Sequence, residues 1–276
     1  RTLIYQGTSS SSLSLVDSTS DGSTATKTIT GLTNNTPYYF KIRSRADDGS
    51  LSSVTSYVEA TPVYLGPVWW VSDSVSTDGD GTSTTPFRYI SSAITAAAED
   101  DTVKLTAGTY TGANNRDLDA DGKNLVFISA SGADSTVLDA SKYDRHFTLG
   151  RESDGGAVDS TFQVIGITFK NGDGGSVDME MSSPIFKDCI FEENEGSSGG
   201  AIRISGGSPK FINCTFRNNS SYNGGGAVKI ESNSESDNTD RPVFRNCAFT
   251  SNSLDNNVEG SGSYGGAVFI SGNGSA

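Results

Sequence analysis

Short runs in which apolar and polar residues alternate fill most of the chain, separated by turns rich in Gly, Asn, Asp and Ser. Alternation with period two marks a strand with one buried face, so the pattern predicts a nearly all-β protein. One segment departs from it. Phe87, Ile90 and Ile94, with Ala93 and Ala97 beside them, fall at helical spacing behind Pro86, which predicts a single short amphipathic helix over Pro86 to Ala97. The runs D-T-V-K-L-T-A-G-T-Y and K-N-L-V-F-I-S that follow read as strands. No apolar run is long enough to span a bilayer.

The second half of the chain repeats itself. P-I-F-K-D-C-I-F-E-E-N begins at Pro184, P-K-F-I-N-C-T-F-R-N-N at Pro209 and P-V-F-R-N-C-A-F-T-S-N at Pro242; each is followed by G-G-A-I-R-I, G-G-A-V-K-I or G-G-A-V-F-I. Cys189, Cys214 and Cys247 lie 25 and then 33 residues apart, and the polar stretch E-S-N-S-E-S-D-N-T-D supplies the difference as a protruding loop. A fainter copy, Gly174 to Met179, stands 25 residues before Gly199 to Ile204. A unit this short cannot bury its own apolar face, so the copies must stack as coils. The inward columns are then Phe186, Phe211 and Phe244; Cys189/Phe191, Cys214/Phe216 and Cys247/Phe249; and Ile202/Ile204, Val228/Ile230 and Val268/Ile270. Asn194, Asn219 and Asn252 form a ladder at one turn. Three stacked thiols without a nearby His read as small buried hydrophobes, reduced rather than bridged.

Residues 1–62 carry strand-like runs at Thr2 to Tyr5, Ser12 to Val16, Thr24 to Thr30, Tyr38 to Arg45 and Val54 to Ala60. The segment from Gly31 to Ala46, G-L-T-N-N-T-P-Y-Y-F-K-I-R-S-R-A, resembles the fibronectin type III family, with Leu32 and Tyr38 at the positions of its tyrosine corner. That resemblance implies a partial sandwich lacking its first two strands, acting as a spacer, and residues 63–67 as a linker. From residue 68 onward, the order D-G-x-G-T, P-F-x-x-I-x-x-A-I, D-T-V-x-L-x-x-G-T-Y resembles the entry segment of secreted pectate-lyase-like proteins. The likeness implies a right-handed parallel β-helix over 68–276 whose first coil is covered by the helix, since a raw coil end exposes unpaired backbone and apolar core. The paired motifs F-x-x-N and G-G-A-[I/V] resemble the repeats of chlamydial polymorphic outer-membrane proteins, which implies an adhesin on the cell surface or outside the cell. Both ends of the chain fall inside a pattern, and the expectation is a fragment continued on either side.

A net charge of −13 sets nucleic acid aside as a partner, because phosphate affinity requires excess Lys and Arg. Three functions remain. Asp178, Arg203, Lys229 and Phe269 point outward from the G-G-A strands and vary from copy to copy, as suits a broad non-catalytic face for polysaccharide or cell-surface glycan. The pectate-lyase resemblance offers a second reading: calcium held by Asp178 and Glu180, with Arg203 or Lys229 as the base that takes a proton beside a uronate carboxylate. The alternative for these charges is an Asp178–Arg203 cross-strand ion pair and a solvated Lys229. A carbohydrate-binding module is the third, with Phe269, Tyr222 and Tyr264 as stacking platforms. Asp117, Asp119, Asp121 and Gly122 imitate the front of a calcium loop, but Ile128 stands where its last acidic ligand belongs, so they read as a turn, as does Asp78-Gly79-Asp80-Gly81. His146, next to the inward Phe147, has no Asp cluster in its strand to make a hydrolase.

Overall fold

The computed structural model describes residues 1–24, 26–33, 36–62, 67–150, 156–231, 241–254 and 266–271. The chain divides into two compact units, Arg1–Tyr64 and Leu65–Ala276.

In the first unit, Thr2–Ser9, Ser12–Ser18, Tyr38–Ser44 and Val58–Ala60 form one antiparallel sheet in the order second, first, third, fourth strand. Leu3, Ile4 and Tyr38 are its buried residues. The Tyr38 hydroxyl accepts a bond from the Thr33 amide at 3.0 Å. The run Thr24 to Thr30 is not a strand in any of its described residues. Asp21 Oδ1 accepts the amides of Ser23 and Thr24 at 2.9 Å each and bends the chain there, and the described side chains of the run are exposed apart from the half-buried Ile29. Alternation yields a strand only where a neighbour supplies both a ladder and a covered face. The described residues of this unit make a single layer, not the two of a sandwich.

The second unit is a stack of parallel coils. Its first sheet contains Val68–Val71, Thr102–Leu105, Val126–Ser129, Gln163–Ile165, Ile185–Lys187, Lys210–Ile212 and Val243–Arg245. A second sheet contains Gly108–Tyr110, Thr136–Asp139, Thr168–Lys170, Ile190–Glu192, Thr215–Arg217 and Ala248–Thr250. The third contains Leu118–Asp119, Phe147–Leu149, Val177–Glu180, Ile202–Ser205, Val228–Glu231 and Val268–Ser271. Within each sheet, neighbouring strands come from successive coils and pair in parallel.

The inward columns fall in register as expected: Phe186, Phe211 and Phe244 in the first sheet, Phe191, Phe216 and Phe249 in the second, Ile202, Val228 and Val268 in the third. Phe rings stack on their equivalents at 4.8 to 5.3 Å with nearly parallel planes. Cys189 and Cys214 are fully buried and Cys247 half-buried; all three are free thiols. The neighbouring Cys189 and burial both push the Cys214 thiol up, so it stays protonated.

Turn chemistry explains the motifs. Asp188, Asn213 and Asn246 hold left-handed φ values of 54 to 56° between the first and second sheets, where Asn and Asp are tolerated. Their side chains form an outer ladder, Asn213 Nδ2 donating to Asp188 Oδ1 at 2.9 Å. At the other end of the second sheet, Asn194, Asn219 and Asn252 form the expected inner ladder, each Nδ2 donating to the Oδ1 of the next. In the G-G-A motif the two glycines serve different needs: Gly199 has φ of 77°, whereas a Cβ on Gly200 would come within 2.0 Å of the Gly226 carbonyl oxygen in the next coil.

The helix is shorter than its sequence pattern, running Ile90–Ala96 rather than from Pro86. Phe87 is taken by the sheet instead: its amide donates to the Trp70 carbonyl at 2.9 Å and its carbonyl accepts from Ser72 at 2.8 Å. Asp78 closes the helix start from a distance, accepting the Arg88 and Tyr89 amides at 2.7 and 3.2 Å and the Ser92 hydroxyl at 2.5 Å. Ile90, Ala93 and Ile94 are buried, and Lys123 Nζ donates to the carbonyls of Ile94 and Ala97 at 2.6 and 3.2 Å. Asp80 binds the hydroxyls of Thr82 and Thr85, and Asp121 donates its amide to Asp119 Oδ1 at 2.7 Å, so the Asp80 and Asp119 carboxylates are occupied in turns.

Candidate functional site

The outward column of the third sheet runs through Asp119, Thr148, Asp178, Arg203, Lys229 and Phe269, each directly opposite the next on a parallel neighbour. The pleat turns these residues away from Leu118, Phe147, Val177, Ile202, Val228 and Val268, which face inward. Stacked coils bring opposite charges within reach, and the column becomes a continuous ion-pair ladder. Arg145, just ahead of its strand, pairs with Asp178 Oδ2. Arg203 Nη1 lies 3.1 Å from Asp178 Oδ1, while its Nη2 lies 2.7 Å from Glu231 Oε2. Lys229 Nζ completes the chain 2.9 Å from Glu231 Oε1.

The Asp178–Arg203 pair is therefore present, but the reading of Lys229 as solvated is corrected: its side chain is only 11 % exposed, because Glu231, two residues along the same face, draws it down. Burial opposes ionisation of Asp178, yet Arg145 and Arg203 outweigh it and hold the carboxyl below its ordinary range. Burial likewise opposes the charge on Arg203, and Asp178 and Glu231 outweigh it, raising the guanidinium above its already high value. Glu231 is lowered by Lys229 and Arg203 against its own burial.

Both oxygens of Asp178 thus hold guanidinium groups, and Glu180 is exposed at the end of the same strand. A calcium ion on Asp178 and Glu180 would have to displace two arginines to gain two carboxylates, fewer oxygens than such an ion takes. Among the described residues no three His, Cys, Asp or Glu side chains converge to hold a metal. His146 is fully buried, its Nε2 2.9 Å from the Leu138 carbonyl and its Nδ1 3.1 Å from Ser176 Oγ. Burial pushes its pKa down to about 4, so it is a neutral core residue.

The aromatic candidates differ among themselves. Phe269 is half-buried beside the Gly-rich turn, so close that a Cβ on Gly224 would meet its Cδ1 at 2.7 Å. Tyr222 is 37 % exposed and donates its hydroxyl to Glu195, whose other oxygen lies 3.7 Å from Lys142 Nζ. Tyr264 lies outside the described residues. Sequence reasoning missed Arg145 and Glu231. Glu231 was within reach, since it stands two residues after Lys229 on the same face; Arg145 was not, because its coil lacks the repeat motif that fixes register.

Among the described residues no helix is long and apolar enough to cross a membrane. Comparison with the curated proteins finds no match. Among solved structures, a pectin methylesterase from carrot is similar at a TM-score of 0.45 and 15 % identity, over 68 % of this chain and 65 % of that one, so the chain spans under two thirds of that protein's length. A likeness so distant bears on neither substrate nor chemistry. A family model described as right handed beta helix region matches residues 120–276. That segment contains most of the parallel strands, the stacked Phe columns and the ion-pair ladder, and it is more than half of the chain, which therefore belongs to the right-handed β-helix family.

Proposed function

We propose that this protein is a non-catalytic, adhesin-like β-helix that binds glycans along its coils at the cell surface or outside the cell, with a fibronectin type III-like unit as its spacer. The observation that carries the non-catalytic part is the engagement of both candidate bases. A proton-abstracting Arg203 must first lose its own proton, and Asp178 and Glu231 hold that proton more firmly than water does. Lys229 Nζ is engaged as well, 2.9 Å from Glu231 Oε1. Binding is supported by the contrast between columns: inward positions repeat Phe on Phe, while outward positions pass from hydroxyl to carboxylate to guanidinium to ammonium to an aromatic ring. A surface with changing chemistry at each coil suits an extended polar ligand better than one reaction centre. For the first unit, the Tyr38 hydroxyl bond to the Thr33 amide supports the tyrosine-corner reading, and the repeat motifs support the polymorphic-outer-membrane-type likeness.

The test exposes the chain to neutral and acidic polysaccharides with calcium present, and follows both retention and the ultraviolet absorbance of unsaturated products. Retention without product supports the proposal, and Phe269→Ala should weaken it. Calcium-dependent product that vanishes in Arg203→Ala or Lys229→Ala would replace it with a lyase.

A further inference from the structure

The first sheet has an outer face of a different kind. Its outward positions form two columns in register, one through Trp70, Lys104, Ile128, Ile165, Lys187, Ile212 and Arg245, the other through Val68, Thr102, Val126, Gln163, Ile185, Lys210 and Val243. Parallel sheets are ordinarily covered on both faces, yet no element is packed on this one among the described residues: Ile128, Ile165, Ile185 and Ile212 are only half-buried, and Val243 is 43 % exposed. In a chain of net charge −13, none of these fourteen outward positions is acidic, and four are basic.

The cations are graded along the stack. Lys104 lies over the Trp70 ring, 4.7 Å from its centroid. Lys187, Lys210 and Arg245 then follow on three successive coils, switching columns at each step, so the late end of the sheet carries one cation per coil. Lys187 reaches Asp188 at the bordering turn at 4.0 Å, an exposed pair of little strength, and Lys210 and Arg245 form no ion pair with a described residue. This differs from the third sheet, where Arg145, Asp178, Arg203, Glu231 and Lys229 pair with one another.

From this placement we infer that the outer face of the first sheet is a docking surface for a linear acidic polysaccharide lying along the stack. Cations that advance about 4.8 Å per coil along the stack, alternating between columns two residues or about 6.6 Å apart, can meet the carboxylates of a polymer with one per sugar ring, and the β-branched side chains between them present apolar patches to the faces of the rings. A second copy of this chain does not fit, because the same face on both partners would set cation against cation. The inference stands apart from the proposed role of the third sheet, since it uses different residues.

The experiment uses the full chain in calcium-free affinity electrophoresis against polygalacturonate, against the same polymer fully methyl-esterified, and against vesicles of phosphatidylglycerol. The expected result is retardation by polygalacturonate that is lost on esterification, falls steeply with added salt, and weakens about tenfold or more in Lys187→Glu/Lys210→Glu/Arg245→Glu. A Lys187→Gln/Lys210→Gln/Arg245→Gln variant should lie between, and unchanged circular dichroism would show that both fold. Equal retardation of wild type and both variants, or binding to the vesicles alone, overturns the inference. Loss of binding in Phe269→Ala with the triple variants unaffected overturns it too while leaving the third-sheet reading intact. Binding lost in the triple variants but not in Phe269→Ala supports it and counts against that reading.

Discussion

Replacing Asn219 with Ala tests the stacking argument at its most demanding point. Asn219 is fully buried and makes four side-chain hydrogen bonds. Its Nδ2 donates to the Phe191 carbonyl at 3.0 Å and to Asn252 Oδ1 at 2.9 Å. Its Oδ1 accepts the Asn194 amide at 3.1 Å and Asn194 Nδ2 at 3.0 Å. Four neutral bonds at about 1 kcal/mol each, of which one leaves a buried backbone amide without its acceptor, give a loss of about 4 to 6 kcal/mol. Asn194 Nδ2 keeps the Phe169 carbonyl and Asn252 Oδ1 keeps the Asn219 amide, which places the value at the lower end. Against a domain stability of about 5 to 15 kcal/mol, that is a large fraction. Urea unfolding followed by circular dichroism would measure it, with exposed Asn223→Ala as the control. Amide exchange at Asn194 adds a local readout, since that proton should lose protection first. A loss below about 1 kcal/mol, no larger than the control, would show that the ladder is incidental and that apolar stacking alone sets the register.

Four further outcomes follow from the same geometry. His146 is neutral in the fold with a pKa of about 4, against an ordinary 6.5, so the unfolded chain binds the extra proton between those values; its contribution is fully present above pH 6.5 and is lost as pH falls toward 4, by about 3 kcal/mol in all, and His146→Gln should flatten the dependence of the urea midpoint across that window. Phe211→Ala removes a ring stacked 5.3 Å from Phe186 and 4.8 Å from Phe244 and should cost about 3 to 5 kcal/mol by the same unfolding measurement. Gly200→Ala should lower the melting temperature more than Gly22→Ala, where a Cβ meets nothing within 4 Å, because it forces apart two coils that touch through the Gly226 carbonyl. Cys189 and Cys214 should resist iodoacetamide in the native protein and react after unfolding; a disulfide between them seen by mass spectrometry would refute the reduced, buried assignment.

The repeats alone determined the coil: Phe, Cys and Asn recurring at fixed positions allow only a stack in which like sits on like, and Phe186, Phe211 and Phe244 do so. Period-two alternation also named the inward and outward residues correctly, because a strand has just two faces. Near residue 24 the same alternation failed: Thr24 to Thr30 has the pattern, yet its described residues pair with no described strand. Helical spacing misjudged the start at Pro86 for the opposite reason: Phe87 had a better partner in Trp70, and only the fold brings the two backbones together. Asp178, Arg203 and Lys229 were legible as outward charges, but whether they were free or neutralised depended on Arg145 and Glu231 arriving from other coils. The cation row of the first sheet was hidden likewise, its members lying 23 and 35 residues apart in sequence, with the offset between Lys187, Lys210 and Arg245 set by turns of unequal length. Sequence spacing fixes which face of a strand a residue occupies; which residue becomes its neighbour across coils is decided by the lengths of the turns and by the hydrogen-bond register they close.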